Sequence, residues 1–277
     1  MIYLLLAILS SAFVSIIMRL STDRVKANIS MLAFNYLMCT VLGACFTGLG
    51  TIFDFSEGFA STLGFGAVNG FLYLASFIML QYNVKKNGVV LSATFMKLGL
   101  LVPMLLSIVL FGEMPEPVQW IGFALAIAAI LLINMKKGEM GAFRFELILL
   151  LIGGGLGDAM AKIYEQFGVE SRSEQFLMFT FLTAFLLCTA LAMLKKERFG
   201  KSELFFGLLI GIPNFFSARF LLLALQEVAA VVAYPTYSAA SLLAVTAAGV
   251  LFFKEKLLTK QWIAIGVILV ALVLLNV

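Results

Sequence analysis

Ten apolar runs, each about as long as a membrane-crossing helix, take up almost the whole chain: residues 2–20, 28–49, 59–81, 88–111, 118–135, 145–164, 175–194, 204–226, 229–253 and 259–276. A helix crossing a hydrocarbon core of about 30 Å needs ~20 mostly apolar residues. In lipid the backbone must satisfy its own polar groups, so only helices and closed barrels span. A barrel would show short alternating segments, whereas these runs are continuous. The expected fold is therefore an all-α polytopic membrane protein with ten transmembrane helices and no soluble domain. Composition agrees: of 277 residues, 62% are hydrophobic and 12% charged, against ~25% charged in soluble domains. A soluble enzyme, a disordered chain and a nucleic-acid-binding domain are excluded, because the net charge of +4 is scattered among apolar runs rather than gathered in a patch. With no His in the chain, His-ligated metals, His-containing triads and His relays are excluded. Three Cys make no disulfide framework. No cofactor or metal is expected, and the opening apolar run has no basic segment before it, so no cleaved signal is expected either.

The loops are charged unevenly. After the odd-numbered runs stand Arg19, Arg24 and Lys26; Lys85 and Lys86; Lys136, Lys137 and Arg144; Lys195, Lys196, Arg198 and Lys201; and Lys254, Lys256 and Lys260. The loops after the second, fourth, sixth and eighth runs hold only Arg172. Cytoplasmic loops retain Lys and Arg. The odd loops are thus expected inside, with both termini outside the cytoplasm and the protein in a bacterial plasma (inner) membrane.

The two halves resemble each other. Residues 111–134 (FGEMPEPVQWIGFALAIAAILLIN) align without gaps with 253–276 (FKEKLLTKQWIAIGVILVALVLLN) at an offset of 142. Glu113 meets Glu255, Gln119-Trp120-Ile121 meets Gln261-Trp262-Ile263, and Asn134 meets Asn276. The third run contains Gly66-x-x-Asn69 followed by Leu80-Gln81, and the eighth contains Gly211-x-x-Asn214 followed by Leu225-Gln226. LMCTVL at 37–42 matches LLCTAL at 186–191, and Lys162 stands in the sixth run where Arg19 stands in the first. Shared Leu is common to all apolar helices, but matched Gln-Trp, Gly-x-x-Asn and Glu at preserved spacing are not. The expected division is a first five-helix repeat over 1–138 and a second over 139–277. An odd number of helices makes the second copy cross in the opposite sense, and inverted repeats are a transporter signature.

On these residues the chain resembles the drug/metabolite transporter superfamily in its ten-helix EamA-like form, over essentially its full length. The resemblance rests on the two five-helix halves and on Gly112-Glu113 and Lys254-Glu255, each followed by a short loop and a final apolar helix. Pro103 and Pro235 in the fourth and ninth runs are in character. Membership implies a membrane transporter. Members of the superfamily carry amino acids, nucleotide sugars, phosphorylated sugars, cations and drugs, so these motifs mark the fold and not the cargo.

Ionisable groups inside a membrane are costly and point to function. Lys97 lies about nine residues into the fourth run, ~14 Å deep at about 1.5 Å per residue. It is either a cavity residue or a structural Lys bonded to backbone carbonyls, and its counterpart in the second half is Ala239. Asp158 and Lys162 are four apart on one helix face. They pair with each other, or Asp158 pairs with Lys97, or Lys162 snorkels to the interface. Arg219 either clamps a carboxylate or phosphate, which suits its planar fork, or bonds Glu227 or lipid headgroups. The uncharged candidates are Asn69, Asn214, Tyr73, Gln81, Asn35, Tyr234 and Tyr237. The two Gly-x-x-Asn motifs, beside Gly66-x-x-x-Gly70 and Gly207-x-x-x-Gly211, read first as packing devices. Trp120 and Trp262 read as interfacial anchors. Gly153-Gly154-Gly155-x-Gly157 lacks the phosphate-loop pattern and marks a close crossing or a hinge.

The expected activity is secondary active transport, by alternating access, of a small polar metabolite, anionic or zwitterionic such as an amino acid or organic anion. Lys97, Lys162 and Arg219 outnumber Asp158 and favour negative charge on the solute. Coupling to protons or to a counter-transported solute stays open, as does monomer or homodimer. The rivals are a multidrug or cation exporter of the same superfamily and, from another class, a lipid flippase or a non-transporting subunit. No enzymatic activity is expected, because the intramembrane charges are singletons in separate helices.

Overall fold

The structure is a computed structural model that describes residues 1–22, 24–48, 50–52, 54–87, 92, 95–96, 98–134, 145–253 and 259–276. Lys97, Lys136, Lys137, Arg144, Lys254, Glu255 and Lys256 lie outside the described residues, as do the side chains of Lys85, Asn134, Lys260 and Gln261. The described residues form ten α-helices. These are α1 Ile2–Ser21, α2 Asn28–Thr47, α3 Phe59–Asn87, α4 Leu101–Phe111, α5 Pro117–Asn134, α6 Phe145–Phe167, α7 Ser173–Leu194, α8 Lys201–Glu227, α9 Ala230–Phe253 and α10 Thr259–Leu275. Single 3₁₀ turns, Leu98–Leu100 and Glu170–Arg172, precede α4 and α7. Seven helices are long and apolar enough to cross a membrane, and Leu98–Phe111, Pro117–Leu132 and Trp262–Leu275 are shorter apolar helices.

Local chemistry sets the helix ends. Pro117 opens α5, where its missing N–H costs nothing. Gly112 ends α4 in the left-handed conformation (φ 67°) and donates to the Ser107 carbonyl, a closure that glycine makes without a Cβ penalty. On α1, Leu4, Ala7, Ile8 and Ala12 are buried while Ile2, Leu5, Leu9 and Phe13 are exposed. One helix face meets protein and the other presents apolar side chains outward, as a bilayer requires.

The chain divides into two compact units, with the cuts falling inside α3, α6 and α8. One unit comprises Ile2–Leu74 and Ile163–Ala224. Within it α2 and α7 pack side by side and run antiparallel. Gly43 near the end of α2 touches Met178 near the start of α7, and a Cβ on Gly43 would come within 2.9 Å of the Met178 Cα. At the other end of the pair, Glu197 beyond α7 accepts hydrogen bonds from the Ile29 and Ser30 amides at the start of α2, both 3.1 Å. Gly66 and Gly70 of α3 press on α7 at Phe176, Phe179, Thr180 and Ala184, while Gly207 and Gly211 of α8 press on α2 at Met31, Phe34, Asn35 and Met38. Asn69 donates to Thr180 Oγ1 (3.4 Å) and Asn214 to Asn35 Oδ1 (3.1 Å). Both bonds stand at one offset, 145 positions from 69 to 214 and from 35 to 180. The LMCTVL and LLCTAL strings match at 149, one helical turn out of this register.

The other unit comprises Met1, Ala75–Lys162 and Leu225–Val277. Here α5 and α10 pack together and again run antiparallel, since Gly122 near the start of α5 meets Ala271, Leu274 and Leu275 near the end of α10. Leu100, Met104, Ala126, Ile130, Val231, Ala239 and Ile268 belong to its core. Gly155 of α6 lies against Gly99 beside α4, backbone on backbone, and Gly153 faces Ser76 and Met79 of α3. The Ser76 hydroxyl donates to the Gly153 carbonyl at 2.8 Å. The glycine run in α6 is therefore a close crossing.

Candidate substrate site

The site residues expected from sequence fall into two groups, one in each unit. In the unit holding α4, α5, α9 and α10, Lys162 is buried and pairs with Glu113 at 2.7 Å; the side chains are 4% and 18% exposed. The other Glu113 oxygen accepts from the Ala230 amide at the start of α9, also at 2.7 Å. The Lys162 ammonium lies 5.7 Å from the centre of the Phe111 ring. One carboxylate thus joins the end of α4 to α6 and to the first turn of α9, where a helix N-terminus favours negative charge. Asp158 is exposed one turn earlier on α6, and its backbone carbonyl accepts from the buried Tyr234 hydroxyl at 2.7 Å. Tyr234 and the half-buried Tyr237 flank Pro235 inside α9. Lys97 lies outside the described residues.

In the other unit Arg219 of α8 donates from Nε to Glu174 Oε1 at 2.6 Å, with the two side chains 23% and 25% exposed. The guanidinium sits 4.4 Å from the centre of the Phe46 ring, within cation–π range. Tyr73 stacks on Tyr36 (centroids 6.2 Å) and lies 6.1 Å from Phe181. Phe181 continues to Phe215, and Phe215 stacks on Phe46. Arg219 and Tyr73 are therefore linked through aromatic rings. Asn69 is buried with Oδ1 lacking a hydrogen-bond partner. Glu113, Glu174, Tyr36 and Phe46 were not singled out from sequence as parts of a site. Glu174 is the last residue between the sixth and seventh apolar runs, and nothing in its neighbours points to a helix 45 positions away.

Beside Arg219 a pocket of about 390 Å³ is lined by Phe46, Thr47, Thr51, Asp54, Ser56, Glu57, Ser171, Arg172, Glu174 and Gln175. Arg172 organises its wall, donating to the Glu57 carbonyl, Gln175 Oε1, Asp54 Oδ2 and the Ser56 hydroxyl. Thr47 Oγ1 and Glu174 Oε2 are buried there with no partner. The Ser56 amide and hydroxyl, and then Arg172, hold the Asp54 carboxyl below its ordinary value. A depressed folded value adds stability above the unfolded one and forfeits it as pH falls through the folded one. Protection of the Ser56 amide, its exchange relative to the unfolded chain at the same pH, should therefore stay constant through neutral pH and fall only below the ordinary carboxylate range; Asp54→Asn should remove that acid step.

The EamA-like transporter family model matches residues 1–135 and again 146–277. A protein of Haemophilus influenzae (strain ATCC 51907 / DSM 11121 / KW20 / Rd), described as uncharacterized, is 26% identical over 277 residues, covering 95% of this chain and 93% of that protein. A crystal structure of a protein 14% identical superposes with a TM-score of 0.74 over 99% of this chain and 94% of the other, a likeness of fold. Two successive family matches, apolar helices of spanning length and recurring glycine contacts agree, and the chain belongs to the EamA-like transporter family of membrane proteins.

Proposed function

We propose that the chain is a secondary active transporter of a small polar metabolite, anionic or zwitterionic such as an amino acid or organic anion, working by alternating access. In this reading all ten helices cross the membrane, residues 1–138 and 139–277 are repeats of opposite sense around one solute site, and both termini are extracytoplasmic. The observation that carries it is the antiparallel packing of counterpart helices. α2 and α7 are second in their halves, α5 and α10 fifth, and the partners in each pair run in opposite directions. Asn69–Thr180 and Asn214–Asn35 are reciprocal bonds at one offset. Two copies inserted in opposite senses produce such a relation. An inverted pair can also exchange conformations between its halves and so open one site to either side.

The pairing of charges refines the solute class. Lys162 and Arg219 have acidic partners in Glu113 and Glu174, so the excess of buried bases counted from sequence is smaller than it looked. The Arg219–Glu174 pair is about one quarter exposed on both sides and rests on an aromatic ring. A solute bearing both a carboxylate and an ammonium can insert into it, the carboxylate on the guanidinium and the ammonium on Glu174. This supports the zwitterionic branch of the reading.

The test is uptake into proteoliposomes from a panel of amino acids, organic anions and cationic drugs. At least one zwitterion or anion should be carried, and Arg219→Ala and Lys97→Ala should each lower its uptake about tenfold or more, the loss of roughly one charge-assisted hydrogen bond. The same solute at about 100 times its Kd should stabilise wild type by ~2.7 kcal/mol and stabilise Lys97→Ala less. Uptake of lipophilic cations alone overturns the solute class. Lipid scrambling with no solute movement overturns the transporter reading in favour of a flippase.

A further inference from the structure

At the end of the α2–α7 pair remote from the Arg219 pocket lies a second cavity, about 520 Å³, between the α1–α2 and α7–α8 turns. Its walls carry the cations Arg24, Lys26, Arg198 and Lys201 and the carboxylates Glu197 and Glu203. The carboxylates are turned to the backbone. Glu203 Oε1 accepts from the Lys26 and Ala27 amides (3.1 and 3.3 Å), and Glu197 Oε2 from the Ile29 and Ser30 amides, both 3.1 Å. Residue Ala27 offers no side-chain cap of its own to α2. The two acids thus cap the amide end of a helix, and the four cations outnumber them around the opening.

The rim is apolar. Val25 packs on buried Phe206, over whose ring Arg24 sits at 5.9 Å. Phe199 and Phe205, adjoining the lining residues, are 46% and 60% exposed. Cations around a hollow at the end of spanning helices, with exposed rings beside them, match a ligand that joins an anionic head to a hydrocarbon tail.

We infer that this cavity binds a phosphate ester, and that its occupant is the headgroup of an anionic phospholipid, held by Arg24, Lys26, Arg198 and Lys201 with its acyl chains against Phe199 and Phe205. A free phosphorylated solute would share the head chemistry but leave the exposed rings uncovered. The site stands apart from the proposed solute pair, and either can fail without the other. At the ends of α2 and α7, it falls at headgroup depth when those helices span a bilayer, whichever way the chain is oriented.

Binding of phosphatidylglycerol and phosphatidylcholine to the purified full chain in detergent, read by native mass spectrometry, tests this. Wild type should prefer phosphatidylglycerol. Lys26→Ala with Arg198→Ala should weaken that lipid about 25-fold, about fivefold for each cation beside an anionic surface, and leave phosphatidylcholine unchanged. Lys26→Arg should retain binding. Lys195→Ala with Lys196→Ala removes equal charge from exposed positions outside the cavity and should retain it as well. Equal loss in that control means diffuse attraction and overturns the site. So does equal binding of the two lipids. Glycerol phosphate or inorganic phosphate competing at the lipid's own concentration overturns the lipid as occupant. Proteoliposome uptake measured on the same cavity variant separates this site from the solute reading.

Discussion

Replacing Glu113 by Ala should destabilise the folded protein by about 3–5 kcal/mol. A surface ion pair is worth about 1 kcal/mol or less, but this one is not at the surface, with Lys162 only 4% exposed. Removing the carboxylate takes from the buried ammonium a counter-charge 2.7 Å away and strips the Ala230 amide of its acceptor. Other contacts of Lys162 remain, the π-face of Phe111 among them, and the long Lys stem can swing toward water, so the lower end of the range is the better expectation. Joint replacement, Lys162→Met with Glu113→Leu, should recover most of the loss, because an apolar pair of similar volume substitutes for a buried ion pair at little cost. Equilibrium unfolding of the purified variants in micelles checks both. A single-variant cost under about 1 kcal/mol would show that the pair is solvated.

The second large effect is opposite in sign at two glycines. Gly155→Ala should cost about 1–3 kcal/mol, the range for overpacking, because its Cβ would strike the Gly99 carbonyl oxygen and the Val102 side chain. The obstacle is backbone, which cannot rotate aside as a side chain does. Gly266→Ala on α10 meets no atom within 4 Å and should gain up to about 1 kcal/mol in helix propensity. Propensity favours Ala at both positions, so their difference isolates the crossing. Unfolding midpoints of the two variants measured side by side decide it, and equal midpoints would mean that α6 does not approach α4 this closely.

The parts of the fold legible in the chain are those governed by short-range rules. Apolar run length located the helices, and small residues four apart marked where helix backbones meet, as Gly66, Gly70, Gly207 and Gly211 do. Partners set by turns between helices were not legible. Asp158 looked the natural neighbour of Lys162, four residues away on one face. A carboxylate that reaches its ammonium belongs to Glu113, 49 positions upstream and turned there by left-handed Gly112. Apolar strings also slide past one another at little cost. The LMCTVL and LLCTAL match therefore carries less weight than polar contacts such as Asn69–Thr180 and Asn214–Asn35. The aromatic series from Tyr73 to Phe46 is invisible in a sequence with 27 Phe, because abundance hides arrangement.

The glutamates that tie off the start of α2 lie 167 to 177 positions downstream. A ribosome adding about 5–20 residues per second needs roughly 10–35 seconds to deliver them. During that interval the nascent second helix has its leading amides unclaimed, and Glu203 is the last-made group that closes them. The cap on α2 is thus complete only once residue 203 has been made, and a chain truncated before Lys201 should keep the Glu197 bonds but lack those of Glu203.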